Sequence, residues 1–189
     1  AGHWSVEVRE LYGGAVGRTF FRVDGSRDET AAAPPKPSPR GTPGFVEVPE
    51  LWNFRRGFRK RGEEENWHLP DTDLAAWQRI STHAFWDDAV GLFEGNGWYA
   101  IDIVIPPAAG KNVKLAFGAV DENYTLWING DYIADNLDKG TSMWDKSAAV
   151  NITGRYRQGA SNHLVVRVRN TRGAGGIWKP SAVAFTHLC

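Results

Sequence analysis

Tyr124-Thr125-Leu126-Trp127-Ile128-Asn129-Gly130-Asp131-Tyr132-Ile133 is the stretch on which the fold turns. β-Branched and aromatic residues fill both arms, a composition that suits a pleated, half-buried surface. Between the arms, Asn129-Gly130 accepts positive φ at both central positions, as a two-residue turn between antiparallel strands requires. The segment therefore reads as a tight hairpin, and its neighbours extend the pattern. Upstream, Leu115, Phe117 and Ala119 alternate before Asp121, and Ile101, Ile103 and Ile105 alternate before Pro106; downstream, Leu164, Val166 and Val168 alternate against Val165, Arg167 and Arg169. A period of two places such residues on one face of a strand.

No segment sustains a 3.6-residue period. Only residues 73–80 suggest a short helix, capped by Asp71 or Asp73. Short strands separated by turn residues, some apolar on both faces, predict an all-β chain of two packed sheets, a β-sandwich. Near the N-terminus, residues 4–12 and 18–23 read as a hairpin about Gly13-Gly14. Residues 24–44 carry Pro34, Pro35, Pro37, Pro39 and Pro43 and read as a linker or long surface loop. The expected organisation is an N-terminal hairpin and linker over residues 1–44, then one sandwich over residues 45–189, a size that buries one core comfortably.

The chain carries 22 Lys+Arg against 22 Asp+Glu, so its formal charge is zero and no chain-wide field would hold nucleic-acid phosphates. No apolar run approaches the ~20 residues of a membrane-spanning helix, so no membrane partner is expected. The single cysteine, Cys189, permits no internal disulfide. A start at Ala1 without Met suggests a processed or excised chain, and the expected location is secreted or extracellular, the periplasm included. Nine Trp stand out: each serves either as core or as a flat platform for a ligand.

Counting reversals from Trp98 through the strands at Val113, Tyr124, Asp131, Val150 and His163 brings residues 94–97, 121–123, 135–149 and 170–176 to one end of the sandwich. These loops are rich in Asn, Asp, Gly and Arg, with Trp144 among them and Trp178 just beyond. Sugars present apolar C–H faces and a girdle of hydroxyls, so their sites combine aromatic platforms with planar amide, carboxylate or guanidinium partners. Both kinds of group occur here, although Asp, Asn and Gly are also ordinary turn formers.

The run Arg55-Arg56-Gly57-Phe58-Arg59-Lys60-Arg61 is the one dense basic patch. It suits sulfate or carboxylate groups of an acidic polysaccharide; equally, with Glu63-Glu64-Glu65 immediately after it, it reads as a self-neutralising loop. The sequence holds no G-x-S-x-G, H-E-x-x-H or G-x-x-x-x-G-K motif, and His3, His68, His83, His163 and His187 have no metal-ligand spacing. Acidic residues are plentiful, but none is singled out as a general acid.

From about Leu51 the chain resembles the sugar-binding domain of family 2 glycoside hydrolases, a jelly-roll of the galactose-binding-like group. The resemblance rests on LPDTDLAAWQRI (69–80), Phe85-Trp86, GNGWY (95–99) leading into IDIVIP, and AVDENYTLWING (119–130). It continues through VNIT (150–153), GASNHLVVRVRN (159–170) and GGIWKP (175–180). It implies framework roles for Trp52, Trp77, Trp98, Tyr99 and Trp127, and matches Trp67, Trp86, Trp144 and Trp178 to commonly aromatic positions. In that family the loop before the GGI-like motif can lend an acid to the sugar pocket of a separate catalytic barrel, whereas here it is Thr171-Arg172-Gly173-Ala174. Galactose-binding-like modules often hold a structural calcium; without a dense carboxylate loop to fix it, no cofactor is assigned.

The resulting expectation is a non-catalytic carbohydrate-binding module whose partners are a polysaccharide or oligosaccharide and a catalytic domain in the parent chain. Its candidate contacts are Trp67, Trp86, Asn96, Asp121, Trp144, Arg172 and Trp178. The alternatives are a structural domain of a larger family 2-like hydrolase with no ligand of its own, and a stand-alone enzyme.

Overall fold

In the computed structural model, the structure describes residues 44–58, 60–137 and 144–187; the expected N-terminal hairpin and almost all of the proline-rich linker lie outside them. The described strands are β1 (Phe45–Glu47), β2 (Leu51–Gly57), β3 (Gln78–Ser81), β4 (Gly95–Ile105), β5 (Lys111–Val120), β6 (Asn123–Ile128), β7 (Asp131–Asp135), β8 (Ala148–Asn151), β9 (Ala160–Asn170) and β10 (Ile177–His187). Two single-turn helices interrupt them, α1 (Arg61–Glu64) and α2 (Asp87–Val90). The strands form an antiparallel four-stranded sheet, β1-β10-β5-β8, and a six-stranded sheet, β3-β2-β4-β9-β6-β7. The all-β sandwich expected from the alternation is the fold observed.

The Asn129-Gly130 turn closes β6 onto β7 with φ of 54° and 90°, the doubly positive geometry that this dipeptide accommodates. Asn129 also ties the turn to β9. Its N–H donates to the His163 carbonyl at 2.8 Å, its Oδ1 accepts the His163 N–H at 3.0 Å, and its Nδ2 donates to Asn162 Oδ1 at 2.9 Å. The hairpin is thus locked into the six-stranded sheet at its turn as well as along its ladder.

Alternation decides the core. Ile101, Ile103 and Ile105 of β4, Leu115 and Phe117 of β5, and Leu164, Val166 and Val168 of β9 all point between the sheets, joined by Trp52, Phe54, Tyr99, Val183 and Phe185. The opposite face of the six-stranded sheet is apolar at its centre as well. There Trp98, Ala100 and Val165 are roofed by Trp67 and Trp77 from the segment between β2 and β3. Trp67 meets Trp77 and Trp98 edge-on, with centroids 5.4 and 5.8 Å apart, and Trp98 stacks on Trp127 at 5.4 Å. A second, aromatic layer therefore covers the sheet from outside, which explains why Val165 is buried despite facing away from the main core.

Two expectations change. Residues 73–77 form turns instead of a helix: Asp73 accepts the Ala75 N–H at 2.9 Å, a local bond that competes with helix, and Gln78–Ser81 continues as strand β3. The basic run begins as strand too, since Arg55 and Arg56 lie in β2.

Gly97 shows how tightly the inner face is filled. A Cβ at this position would run into the Trp86 ring and lie 2.8 Å from the Phe54 ring, both fully enclosed by the core. Gly97→Ala should therefore cost about 2 to 3 kcal/mol in urea unfolding, whereas Val104→Ala, on an outward position of β4 that is 60% exposed, should cost less than about 1 kcal/mol.

Candidate functional site

The ladders place the rim. Gly95 at the start of β4 lies opposite Asn170 at the end of β9; Asn123 opens β6 opposite Arg169; Asp135 closes β7 opposite Thr125; and Val120 closes β5 opposite Ile177. The segments that precede β4, link β5 to β6, follow β7 and link β9 to β10 consequently meet at one end, as the parity count predicts. They enclose a cleft of about 630 Å³ lined by Phe85, Asp121, Glu122, Trp144, Thr171, Arg172 and Ala174.

Buried amides brace these loops. Asn136 accepts the Tyr124 N–H at 2.6 Å and donates to the Glu122 carbonyl at 3.0 Å. Asn170 accepts the Arg172 N–H at 2.9 Å and donates to the Gly173 carbonyl at 2.8 Å. Glu122, held at a left-handed φ of 44°, receives both the N–H and the hydroxyl of Thr171 at 2.8 and 2.7 Å. Asp87 of α2 accepts the Gly175 N–H at 2.8 Å. Each loop is therefore fixed to a neighbour through hydrogen bonds to its own backbone.

An aromatic shelf forms one wall. Phe85 and Trp144 each stack on Trp178, with centroids 4.8 and 5.9 Å away and planes within 21° and 15°. The Trp178 N–H donates to the Trp144 carbonyl at 2.6 Å, and Lys179 Nζ sits 4.3 Å from the Trp178 centroid. Trp178 is largely engaged by these partners, while Trp144 is 48% exposed and is the ring the shelf presents to solvent.

Asp121 occupies the opposite extreme of environment, only 4% exposed. Its N–H donates to the Gly176 carbonyl at 2.9 Å, yet its Oδ2 has no hydrogen-bond partner. Burial pushes its carboxyl up to about 7; the charges of Glu122 and Asp87 add to the rise and a bond from the Glu122 backbone opposes it.

Of the seven residues expected at the site, the structure brings Asp121, Trp144 and Arg172 to the cleft itself and Trp178 to its aromatic wall. Trp67 and Trp86 are corrections. At 3% and 0% exposure neither offers a ring to a ligand: Trp67 roofs the outer aromatic layer, and Trp86 stacks on Phe93 inside the main core at 4.4 Å. Asn96 is not at the cleft either. It lies within β4 with the parity of Trp98, on the outer face of the sheet. The reasoning from sequence missed Phe85, Glu122 and Thr171; only the turn into α2, which buries Trp86 and releases its neighbour Phe85, distinguishes the two adjacent rings.

Three of the described arginines of the basic run are engaged within the chain. Arg55 packs over Trp67 at 4.4 Å and Arg56 over Phe93 at 4.5 Å. Arg61 pairs with Glu65 at 2.6 Å, and Glu63 pairs with Arg167. The hydrogen bonds from Arg61 and Trp67 hold the Glu65 carboxyl below its ordinary value. Among the described residues no group of three or more His, Cys, Asp or Glu side chains is arranged to hold a metal ion.

The sign of the Asp121 shift yields a test. Because its folded value lies above the ordinary 3.8, ionisation opposes folding: the penalty is absent below about pH 4, grows towards pH 7 and is complete above it. Asp121→Asn should accordingly raise Tm by at least about 3 °C at pH 8 and by less at pH 4.5 in calorimetric scans.

No protein-family model matches the chain, and no curated protein matches it. Solved structures do. A β-glucuronidase from an uncultured Clostridium sp. matches with a TM-score of 0.67 at 19% identity, covering 80% of this chain and 30% of its own. A Ruminococcus gnavus β-glucuronidase gives 0.67 at 16%, with the same coverage. A glycosyl hydrolase family 2 member from Bacteroides cellulosilyticus DSM 14838 gives 0.61 at 22%, covering 76% of this chain and 21% of its own. The chain thus spans less than a third of the length of these proteins, and what the likeness shows is the fold: this sandwich is an architecture found within a part of larger glycoside hydrolases.

Proposed function

We propose that the sandwich is an accessory domain of a larger glycoside hydrolase and that its rim binds carbohydrate without catalysing its cleavage. The observation that carries this reading is the convergence of four loops on a cleft whose walls join a stacked aromatic shelf to carboxylate, hydroxyl and guanidinium groups. A pyranose ring has the matching chemistry, with C–H bonds for the indole face of Trp144 and hydroxyls for Asp121, Thr171 and Arg172. Tethering such a site to a catalytic segment raises the enzyme's local concentration on its polysaccharide, and modest affinity per site suffices. This role belongs outside the cytoplasm, in the extracellular space or the periplasm, where polysaccharide is met.

A second reading is favoured by the coverage of the matched structures, which leaves most of their length beyond this fold. In it the same rim packs against the rest of a hydrolase and holds no ligand of its own.

Affinity electrophoresis of the full chain through gels containing soluble polysaccharides separates the two. Under the binding reading at least one polysaccharide retards the chain; Trp144→Ala weakens the interaction about tenfold or more and leaves Tm within a few degrees, since that ring is half-exposed. Trp67→Ala should do the reverse, lowering stability by about 3 kcal/mol or more without changing retention of the folded fraction. Migration unaffected by every polysaccharide would leave the packing role in place of the binding one.

A further inference from the structure

The sequence sets Asn directly before Gly twice, at Asn96-Gly97 and at Asn129-Gly130. Asn is a thermolabile residue, and a following glycine, with no Cβ to hinder approach, leaves it most open to self-modification. The reaction is intramolecular. The glycine backbone nitrogen gives up its proton and attacks the Asn Cγ, the Cγ–Nδ2 bond breaks and ammonia leaves; water then opens the succinimide to aspartate or isoaspartate. The Asn amide must therefore be free to turn until its carbon meets the next residue's nitrogen.

The fold restrains the two sites by different means. Asn96 lies in a ladder on both sides, opposite Gly57 of β2 and Arg169 of β9, so its backbone is held in the interior of the six-stranded sheet. At Asn129 the side chain itself is held. Its Oδ1 accepts the His163 N–H at 3.0 Å and its Nδ2 donates to Asn162 Oδ1 at 2.9 Å, so both ends of the amide are fixed to β9. The anchor is rigid in turn: Asn162 is fully buried, accepts the Arg157 N–H at 2.7 Å and donates to the Arg157 and Ala160 carbonyls, each at 2.9 Å. Yet the clamped turn leads into β7, the outermost strand of its sheet, and elements with fewer neighbours open locally at lower cost than central ones.

Conversion could not be reversed by refolding. Aspartate lacks the Nδ2 donor and would set a carboxylate against Asn162 Oδ1, acceptor facing acceptor. Isoaspartate would add an atom to the main chain inside a two-residue turn whose geometry fixes the hairpin register.

We infer that Asn129 is a latent modification site: its clamp to β9 keeps it inert, and local opening of the β6–β7 hairpin exposes it to irreversible deamidation. A chain that has opened there keeps a covalent record of it, whatever the rim binds.

Peptide mapping of the full chain by mass spectrometry after incubation at pH 8 reads the exchange of amide for acid at each Asn-Gly. Both sites should convert in denaturing guanidinium chloride, and in the folded chain Asn129 should convert at least about tenfold more slowly than it does there. Guanidinium below the unfolding midpoint should raise the Asn129 rate ahead of the Asn96 rate. Asn162→Ala, its fold checked by a melting curve, should raise the Asn129 rate without denaturant at least about fivefold and leave Asn96 unchanged. A folded-state Asn129 rate within about threefold of the denatured one overturns the inference, because the clamp then protects nothing. An unaltered Asn129 rate in folded Asn162→Ala overturns it as well. If that variant does not fold, the unaltered chain decides: Asn129 and Asn96 converting together, and only at the unfolding midpoint, means that opening is global and sinks the local device.

Discussion

Eleven residues of β4 lie against eleven of β9, from Gly95 opposite Asn170 to Ile105 opposite Ala160, and most of the molecule follows from that register. Side chains alternate along a strand, so a slip of one residue would exchange its two faces. Tyr99, Ile101 and Ile103 would turn out, and Trp98 and Ala100 would turn in. Neither face tolerates the exchange. The inner one is closed by the four-stranded sheet and has a space at Gly97 that the rings of Trp86 and Phe54 fill; the outer one is roofed by Trp67 and Trp77. The same register brings the start of β4 and the end of β9 to one end, so the position of the rim is a consequence of the core.

At that rim the loops are held by polar side chains that bond to backbone. Asn136 and Asn170 are 3% and 1% exposed, and each satisfies groups that a loop would otherwise leave unpaired. Glu122 and Asp87 do similar work on Thr171 and Gly175. Asp121 differs from them in that burial above all, and then the charges of Glu122 and Asp87, raise the cost of its ionised form by more than the Glu122 backbone bond relieves it.

Much of this was legible from residue order alone. The Asn129-Gly130 turn and the alternation at residues 101–105, 115–119 and 164–168 specify strands because period and turn chemistry are local properties, and counting reversals then placed the rim without knowledge of any contact. The choice among nine tryptophans was not local. Trp67 and Trp144 have the same side chain and similar polar surroundings in sequence, yet one roofs a sheet and the other faces solvent. What separates them is that β4, β6 and β9 are apolar on both faces, which demands an outer cover; Val165, set between the inward Leu164 and Val166, was the visible sign of it. The helix expected over residues 73–80 failed for a related reason: Asp73 spends its side chain on a turn, and Ile80 is claimed by pairing with Trp52 of β2.

The shelf and the polar walls also constrain one another. On the proposed carbohydrate-binding reading, a sugar lying on Trp144 would present one apolar face to the ring and turn its equatorial hydroxyls sideways, towards the walls of the cleft. Of those walls, Thr171 and Arg172 are exposed, whereas the unpaired oxygen of Asp121 is buried. Orientation would then come from those exposed groups beside a flat platform, an arrangement that fixes how a ring lies without enclosing it. Under that reading, contacts of this kind give modest affinity with ready release, which suffices where a site acts by raising local concentration.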